Sequence, residues 1–362
     1  MKNKTVALYL NGLNISGGME RVVSNLICQW KQDYEIILIT KNNEGSYYTL
    51  PDNIVHLCLE APLKMNMKNR YKRIWSVICN YFTSVYRLRN ILNTIRADYY
   101  YVANPLNAFE FYCAAPHLVS SRLVIAEHAS IYAFNKIYTW MKRIVYPKAY
   151  YISVPNKMDV PIYQSWGCNS VYIPHQFTFP PHTPNKLDTR IVLNVGRLTS
   201  DKQQDKLIRM WSKIKHNLSW KLWIVGSGED HGKLKELITE LGLDDSVELF
   251  KARKDIDSIY KQASIFAFSS RSEGFGMVLL EAMSFGIPCI SFDCPSGPRD
   301  VIVNGFNGFL IEPNNEDEYI KQLQTMINMP CDKLCELGHG AYNTIVNWDN
   351  ERILDLWREV YK

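Results

Sequence analysis

The sequence has no run of about 18 consecutive uncharged apolar residues, so a membrane-spanning helix is not expected. It also has no low-complexity tract and no internal repeat of fixed period. These absences exclude integral membrane, fibrous and solenoid proteins. The remaining class is the soluble globular protein, which agrees with an apolar fraction of 47%.

Cysteine pairs of the kinds that bind zinc or form disulfide frameworks are missing as well. The nine cysteines are an odd number and include no C-x-x-C pair. The closest pairs, Cys289 with Cys294 and Cys331 with Cys335, have no histidine at ligand spacing. We therefore predict reduced thiols in a cytoplasmic protein, with no metal site and no cofactor.

The N-terminal residues MKNKTVALYLNGLNIS combine a basic start with a short apolar run. That run ends at Asn11 and is not followed by a small-residue cleavage pattern. The segment predicts a first β-strand rather than a signal peptide.

Acidic residues are absent from Ala61 to Ala97, although the net charge of the whole chain is only +5. The bases and aromatic residues of that stretch are Lys64, Lys68, Arg70, Lys72, Arg73, Arg87, Arg89 and Arg96, with Tyr71, Trp75, Tyr81, Phe82 and Tyr86. A basic aromatic helix can bind an anionic membrane surface, each base contributing about 1 kcal/mol. The alternative is a solvated helix face. Nucleic acid is disfavoured because no known binding module for it is present.

Strand-like apolar runs alternate with helical stretches along the chain, which predicts parallel sheets covered by helices. The alternation is interrupted between Ile173 and Lys186, where four prolines occur without periodicity. With 362 residues, two domains are expected. We predict an N-terminal Rossmann-like acceptor domain at 1–175, a linker at 176–188, a C-terminal Rossmann-like donor domain at 189–345 and a final helix at 346–362.

The segment EGFGMVLLE from Glu273 to Glu281 contains two carboxylates separated by seven residues. The strand-like SIFAFSS precedes it, so the Gly-Phe-Gly turn leads from a strand into a helix. The first N–H groups of such a helix attract a phosphate, and the two carboxylates could bind hydroxyls on either side. This layout predicts a nucleotide-sugar site.

With this element, the chain resembles the retaining family 4 glycosyltransferases of GT-B architecture, whose signature is E-x7-E. Further matches occur in the family's order across almost the whole chain: GGMER, EHAS, NVGRLTSDKQ, VGSGED and CPSGPRDVI. The resemblance implies two Rossmann-like domains that face each other across a cleft, where the donor binds. It also implies that the final helix braces the first domain.

The resemblance assigns roles to individual residues. Glu281 would bind the ribose hydroxyls, Glu273 the transferred sugar, and His128 the same sugar by a hydrogen bond rather than as a general base. Arg197 and Lys202 follow a strand, where two cations suit the charge that grows on a leaving diphosphate. The predicted catalytic residues are Glu273, Arg197, Lys202 and His128. The predicted donor-binding residues are Gly17, Gly18, Gly196, Arg197, Lys202, Gly226, Lys251, Glu273, Gly274, Phe275, Gly276, Met277, Val278 and Glu281.

Two acidic positions need separate treatment. Asp255 and Asp257 form a D-x-D triplet, which is a metal motif in another transferase architecture, but acids before a helical segment are commonly caps, and we favour a cap. Asp300 in SGPRDVI stands where the family usually has Glu, so its contact stays open. By its order in the chain, the segment 250–253 aligns with the family segment that binds the nucleotide base. It lacks the glycine that the family often has there.

The resulting expectation is a metal-independent hexosyl or N-acetylhexosaminyl transferase that uses a nucleotide diphosphate sugar, by resemblance a UDP-sugar. Its acceptor would be a lipid-linked glycan in surface polysaccharide synthesis, at the inner face of the cell membrane. A GT-B nucleotide-sugar epimerase and a non-catalytic sugar-nucleotide-binding subunit are the alternatives.

Overall fold

The computed structural model describes residues 4–15, 17–61, 70–133, 135–177, 182–214, 219–253 and 255–362, without side chains for 70–74. The chain divides into two compact units. The first unit contains residues 1–176 and 351–362, and the second contains residues 177–350.

The first unit is built on a seven-stranded parallel sheet in the order β3-β2-β1-β4-β5-β6-β7. Its strands are β1 Thr5–Leu10, β2 Glu35–Thr40, β3 Val55–Cys58, β4 Tyr99–Val102, β5 Leu123–Ala126, β6 Tyr151–Val154 and β7 Ser170–Tyr172. Its helices are α1 Gly18–Trp30, α2 Arg70–Thr94, α3 Pro105–Ala114, α4 Pro116–Arg122, α5 Lys136–Val145 and α6 Val160–Ser165, with a 3-10 turn at Tyr146–Lys148.

The second unit has a six-stranded parallel sheet in the order β10-β9-β8-β11-β12-β13. Its strands are β8 Ile191–Val195, β9 Lys221–Val225, β10 Val247–Phe250, β11 Ile265–Phe268, β12 Cys289–Phe292 and β13 Gly308–Ile311. Its helices are α7 Gln204–Lys213, α8 His231–Glu240, α9 Asp257–Tyr260, α10 Met277–Ser284, α11 Pro298–Val301, α12 Glu316–Ile327 and α13 Cys331–Val346.

The central strands are buried on both faces, as the apolar runs in the sequence require. All four residues of β4, β5, β11 and β12 are buried. Parallel strands covered by helices on both sides lose the alternation of polar and apolar residues that marks a half-exposed sheet. Each sheet reverses its strand order between its first and fourth strands, which is where ligands bind in such folds.

The last helix, α14 Asn350–Val360, packs within the first unit. Trp357 meets Trp30 edge-on with ring centroids 5.0 Å apart, and Tyr361 meets Trp30 at 5.3 Å. Arg358 Nε donates to Asp33 Oδ2 at 2.8 Å. This aromatic cluster and ion pair fix the end of the chain against α1.

Within the basic aromatic segment Ala61–Ala97, the structure has the helix α2 from Arg70 to Thr94. Lys64 and Lys68 lie outside the described residues, as do the side chains of Arg70, Tyr71, Lys72 and Arg73. Trp75, Ile78, Phe82 and Tyr86 are exposed and follow one another at helical spacing. Tyr81 instead faces α3, where its hydroxyl contacts Cys113 Sγ at 3.0 Å. Among the described residues, no helix is both long and apolar enough to cross a bilayer.

The boundary between the units lies near the predicted linker. Residues 178–181 fall outside the described part of the chain. Asn185 Nδ2 donates to the carbonyls of Tyr260 and Ala263 at 2.7 and 2.9 Å. The end of the proline-rich segment is therefore part of the second unit.

Candidate functional site

Two loops at the carboxyl edge of the second sheet carry half of the predicted donor residues. The loop after β8 starts at Gly196, and the loop after β11 leads to α10. Strands β8 and β11 are neighbours at the point where the strand order reverses. The topology thus brings together two loops that are about 70 residues apart in the chain.

An ion pair joins the two loops. Lys202 Nζ donates to Glu273 Oε1 at 2.5 Å, and both side chains are largely buried, at 18% and 12% exposure. The backbone reinforces this contact, since Ser269 Oγ donates to Lys202 O at 2.9 Å and Arg271 N donates to Asp201 O at 2.8 Å. A partly buried, charge-assisted hydrogen bond of this kind is stronger than an exposed pair. Glu273 therefore holds the Lys202 ammonium at a fixed position.

The Gly-Phe-Gly turn begins α10 for steric reasons. Gly276 has a φ of +86°, a conformation that favours glycine. Gly297 (φ +115°) packs closely on this turn, because a Cβ there would lie 2.2 Å from the Phe275 carbonyl oxygen. The Phe275 ring is buried against Trp348, with ring centroids 5.8 Å apart. Phe275 therefore anchors the turn with its ring and leaves its backbone to line the loop.

Glu281 lies in the second turn of α10, as predicted, but it is buried. Tyr260 Oη donates to Glu281 Oε2 at 3.0 Å. Tyr260 in turn stacks on Phe285, with ring centroids 5.4 Å apart. The carboxylate is thus oriented by a fixed aromatic hydroxyl.

Glycines hold the loop after β8 against its neighbour. A Cβ on Gly226 would lie 1.8 Å from the Gly196 carbonyl oxygen, so only glycine fits. Gln204 Nε2 donates to the carbonyl oxygen of Arg197 at 2.9 Å, while the Arg197 side chain is exposed. Lys251, which follows β10, is also exposed. Gly226 thus has a packing role whatever it contributes to binding.

His128 follows β5 in the first unit. The Tyr101 hydroxyl lies 2.9 Å from Nε2, and the His128 ring stacks on His175 with centroids 5.1 Å apart. Burial raises the pKa of Tyr101 and lowers the pKa of His128 to about 4, so the hydroxyl stays protonated and the imidazole is neutral at pH 7. Nδ1 of His128 is buried and has no partner among the described residues.

Gly17 and Gly18 stand at the start of α1. Gly17 is the N-cap residue, and a Cβ there would lie 1.9 Å from Glu20 Oε2. Glu20 is buried in the first turn, where a carboxylate stabilises the helix terminus. Glu20 therefore has a structural position at the start of α1.

The structure shows contacts of the D-x-D triplet and of the SGPRD segment. Asp257 is in the first turn of α9, but no side chain caps this helix, and Asp255 instead lies 3.6 Å from Arg253. Arg299 pairs with Asp293 rather than with Asp300. Within the described ranges, no group of three or more His, Cys, Asp or Glu side chains could hold a metal ion.

Several residues that shape the site were not identified from the sequence. They orient predicted residues rather than replace them: Tyr101, His175, Gln204, Tyr260, Ser269 and Gly297. Only Gly297 had a local signal, as it belongs to the SGPRD motif. The others act through contacts between distant segments, which no spacing rule reveals.

Comparisons with known proteins agree on one family. Residues 176–344 match the family model described as glycosyl transferases group 1. The amylovoran biosynthesis glycosyltransferase AmsD of Erwinia amylovora is 27% identical, over 98% of both chains. A Campylobacter jejuni α-1,4-N-acetyl-D-galactosaminyltransferase, whose name includes a PP-undecaprenol glycan, is 23% identical over 86% of both chains.

A solved structure gives the fold. S. aureus TarM, in complex with fondaparinux, alpha-GlcNAc-glycerol and UDP, superimposes with a TM-score of 0.78 at 15% identity, covering 99% of this chain and 100% of that one. At this identity the similarity shows the fold, which is GT-B.

Proposed function

We propose that the chain, whose residues 176–344 match the group 1 glycosyltransferases, transfers a hexose or N-acetylhexosamine from a UDP-sugar to a hydroxyl of a lipid-linked glycan. The transfer would proceed with retention and without a metal, in surface polysaccharide synthesis. The observation that carries this proposal is the ion pair between Lys202 and Glu273 beside the first turn of α10.

The cations of the loop after β8 would stabilise the negative charge of the leaving group. Lys202 and Arg197 carry two positive charges on the loop after β8, and Lys202 pairs with Glu273 on the loop that leads to α10, where the first N–H groups of the helix add a partial positive charge. Negative charge grows on a nucleoside diphosphate as the bond to the sugar breaks. Groups fixed in place before that moment stabilise it without reorganisation. The same cations would take the role that a metal has elsewhere.

The two carboxylates Glu273 and Glu281 are suited to bind the transferred sugar and the ribose of a nucleotide sugar. Glu281, oriented by Tyr260, suits the ribose hydroxyls, and Glu273 suits hydroxyls of the transferred sugar. The presence of UDP in the TarM structure supports uracil as the base. The first-unit residues Gly17, Gly18 and His128 would complete donor recognition by backbone and Nδ1–H contacts.

The state of His128 supports a mechanism without a histidine base. An imidazole with a pKa of about 4 is a poor proton acceptor at neutral pH but a good hydrogen-bond donor through Nδ1. A retaining reaction on one face of the sugar needs no such base, because the leaving phosphate can take the acceptor proton.

Relatives and surface chemistry support a lipid-linked acceptor. AmsD is named for amylovoran biosynthesis, and the C. jejuni enzyme for a glycan on PP-undecaprenol. The exposed stripe on α2, formed by Trp75, Ile78, Phe82 and Tyr86, could enter a bilayer interface next to the basic segment. The protein would then act at the inner face of the cell membrane, in peripheral contact with anionic lipid.

The test is hydrolysis and transfer across a panel of nucleotide sugars, with Lys202→Met and Arg197→Ala. Either substitution should lower turnover of the accepted donor at least about tenfold, the scale of a lost charge-assisted contact in the transition state. Lys206→Met is the matched control, because Lys206 lies on the adjacent helix and points to Glu316 at 3.8 Å. Absence of turnover with every donor would favour a non-catalytic subunit, and interconversion of the sugar would favour an epimerase.

A further inference from the structure

Three aromatic rings in the second unit form a stack that ends at Glu281. The His182 ring lies on the Phe285 ring, with centroids 3.9 Å apart and planes inclined by 10°. The Phe285 ring also stacks on the Tyr260 ring, at 5.4 Å and 14°. Tyr260 Oη donates to Glu281 Oε2 at 3.0 Å. His182, which precedes β8 and lies in no predicted site motif, is thus connected to Glu281 through two ring contacts and a hydrogen bond.

Burial restricts the inner part of this stack. Tyr260 and Phe285 are 1% and 2% exposed, and Glu281 is buried as well. A buried carboxylate that loses a hydrogen bond does not regain it from bulk water. The direction of the Tyr260 hydroxyl therefore affects where the Glu281 carboxylate points.

The residues before β8 join the ends of α9 and α10. His182 N donates to the carbonyl oxygen of Ser284 at 3.2 Å, and Asn185 N donates to that of Phe285 at 2.8 Å. The side-chain amide of Asn185 donates to the carbonyl oxygen of Tyr260 at 2.7 Å. The helix ends that carry the inner two rings are thus held by one short segment, and the third ring belongs to that segment.

The His182 side chain contributes its ring rather than a polar contact. Its Nε2 is buried and has no hydrogen-bond partner among the residues that the structure describes. Asp257 Oδ2 lies 3.9 Å away, which is beyond hydrogen-bonding distance. The side chain is 19% exposed and forms the outer end of the stack. Another aromatic ring should therefore serve at this position, whereas a methyl group should not.

We propose that Tyr260 and His182 are positioning residues that set how strongly the chain prefers a ribonucleotide to a nucleotide without ribose hydroxyls. Tyr260 orients the Glu281 carboxylate, and His182 holds the Tyr260 ring through Phe285. An acceptor that is oriented before binding loses less freedom when the hydroxyls reach it. This inference rests on the proposed function, in which Glu281 binds the ribose.

The test compares the affinities of UDP and 2′,3′-dideoxy-UDP by isothermal titration calorimetry. The wild-type chain should bind UDP at least about tenfold more tightly, because the analogue lacks both hydroxyls that Glu281 would accept from. Tyr260→Phe keeps the ring and removes the hydroxyl. It should weaken UDP binding about three- to tenfold and change the affinity of the analogue less than about twofold.

A second pair of variants tests the stack while keeping the Tyr260 hydroxyl. His182→Ala should weaken UDP binding about two- to fivefold, and His182→Phe should restore it because the ring contact remains. Tyr319→Phe is the matched control, which should leave both affinities unchanged. Tyr319 is a buried tyrosine of the same unit whose hydroxyl contacts the carbonyl oxygens of Phe268 and Ile290 at 3.4 and 3.3 Å.

Three outcomes would overturn the assignment. In Tyr260→Phe, UDP and the analogue lose affinity equally, as a general structural defect would cause, or UDP keeps its affinity. In the second pair, His182→Phe binds UDP no better than His182→Ala. Failure of the proposed function is recognised separately, as a wild-type chain that neither hydrolyses nor transfers any donor sugar, whatever its preference between the two nucleotides.

Discussion

Acid should destabilise the first unit through His128. The folded chain holds this imidazole neutral with a pKa of about 4, against about 6.5 in an unfolded chain. The unfolded state therefore binds more protons between these values, so stability is complete above about pH 6.5 and falls as the pH drops towards 4. At pH 5 the protonation of His128 shifts the unfolding equilibrium towards the unfolded state by a factor of about 30. This corresponds to a loss of about 2 kcal/mol in the free energy of unfolding.

His128→Gln removes this titration and keeps a side chain of similar polarity. The free energy of unfolding of the wild-type chain, relative to the variant, should therefore fall by about 2 kcal/mol between pH 8 and pH 5. Hydrogen exchange measured by mass spectrometry on peptides that cover β4 and β5 reports this unit alone. His175, whose pKa is lowered by burial and by the neighbouring His128, is present in both proteins, so its own titration lowers the stability of each and largely cancels from the difference.

A pH-independent difference between wild type and variant would refute the reasoning. So would an NMR titration that places the pKa of His128 near 6.5. Either result would mean that water reaches the imidazole beside Tyr101 and that His128 can be protonated at physiological pH. The neutral donor proposed for the sugar contact would then be lost.

Two further predictions concern the metal and the membrane. Turnover should survive an excess of chelator, because in the proposed mechanism Arg197 and Lys202 take the role of a metal; complete loss that magnesium or manganese restores would contradict both mechanism and architecture. Binding to anionic vesicles should weaken as salt increases, since eight bases without an acid act over long range, and vesicle flotation measures this directly. Reversing the charge of four bases should reduce both flotation and activity on a lipid-linked acceptor; the four are Lys68, Arg70, Lys72 and Arg73. Unchanged values would identify a solvated helix and a soluble acceptor.

Regular alternation made the two parallel sheets predictable. Apolar runs such as TVALYL and SIFAFSS are buried strands, and the helix expected from Met277 begins there. Strand β7, Ser170–Tyr172, has only three residues beside a proline-rich stretch, so its sequence gives no periodic signal. Secondary structure can therefore be predicted from the pattern of apolar side chains where an element is long enough for that pattern to repeat.

The candidate site was predictable only in part. The spacing of Glu273 and Glu281 and the glycines around them are local properties of the chain. The partners of these groups are not, because Lys202 is 71 residues from Glu273 and Tyr260 is 21 residues from Glu281. A hydrogen bond across such separations depends on the register of whole sheets.

The position of α14 affects how the chain can fold during synthesis. The first unit contains residues 1–176 together with 351–362, so its two pieces are separated by the entire second unit. Trp357 and Tyr361, which cover Trp30, leave the ribosome after the whole second unit. The second unit can therefore fold while the first still exposes the apolar face of α1, and the N-terminal half is completed last.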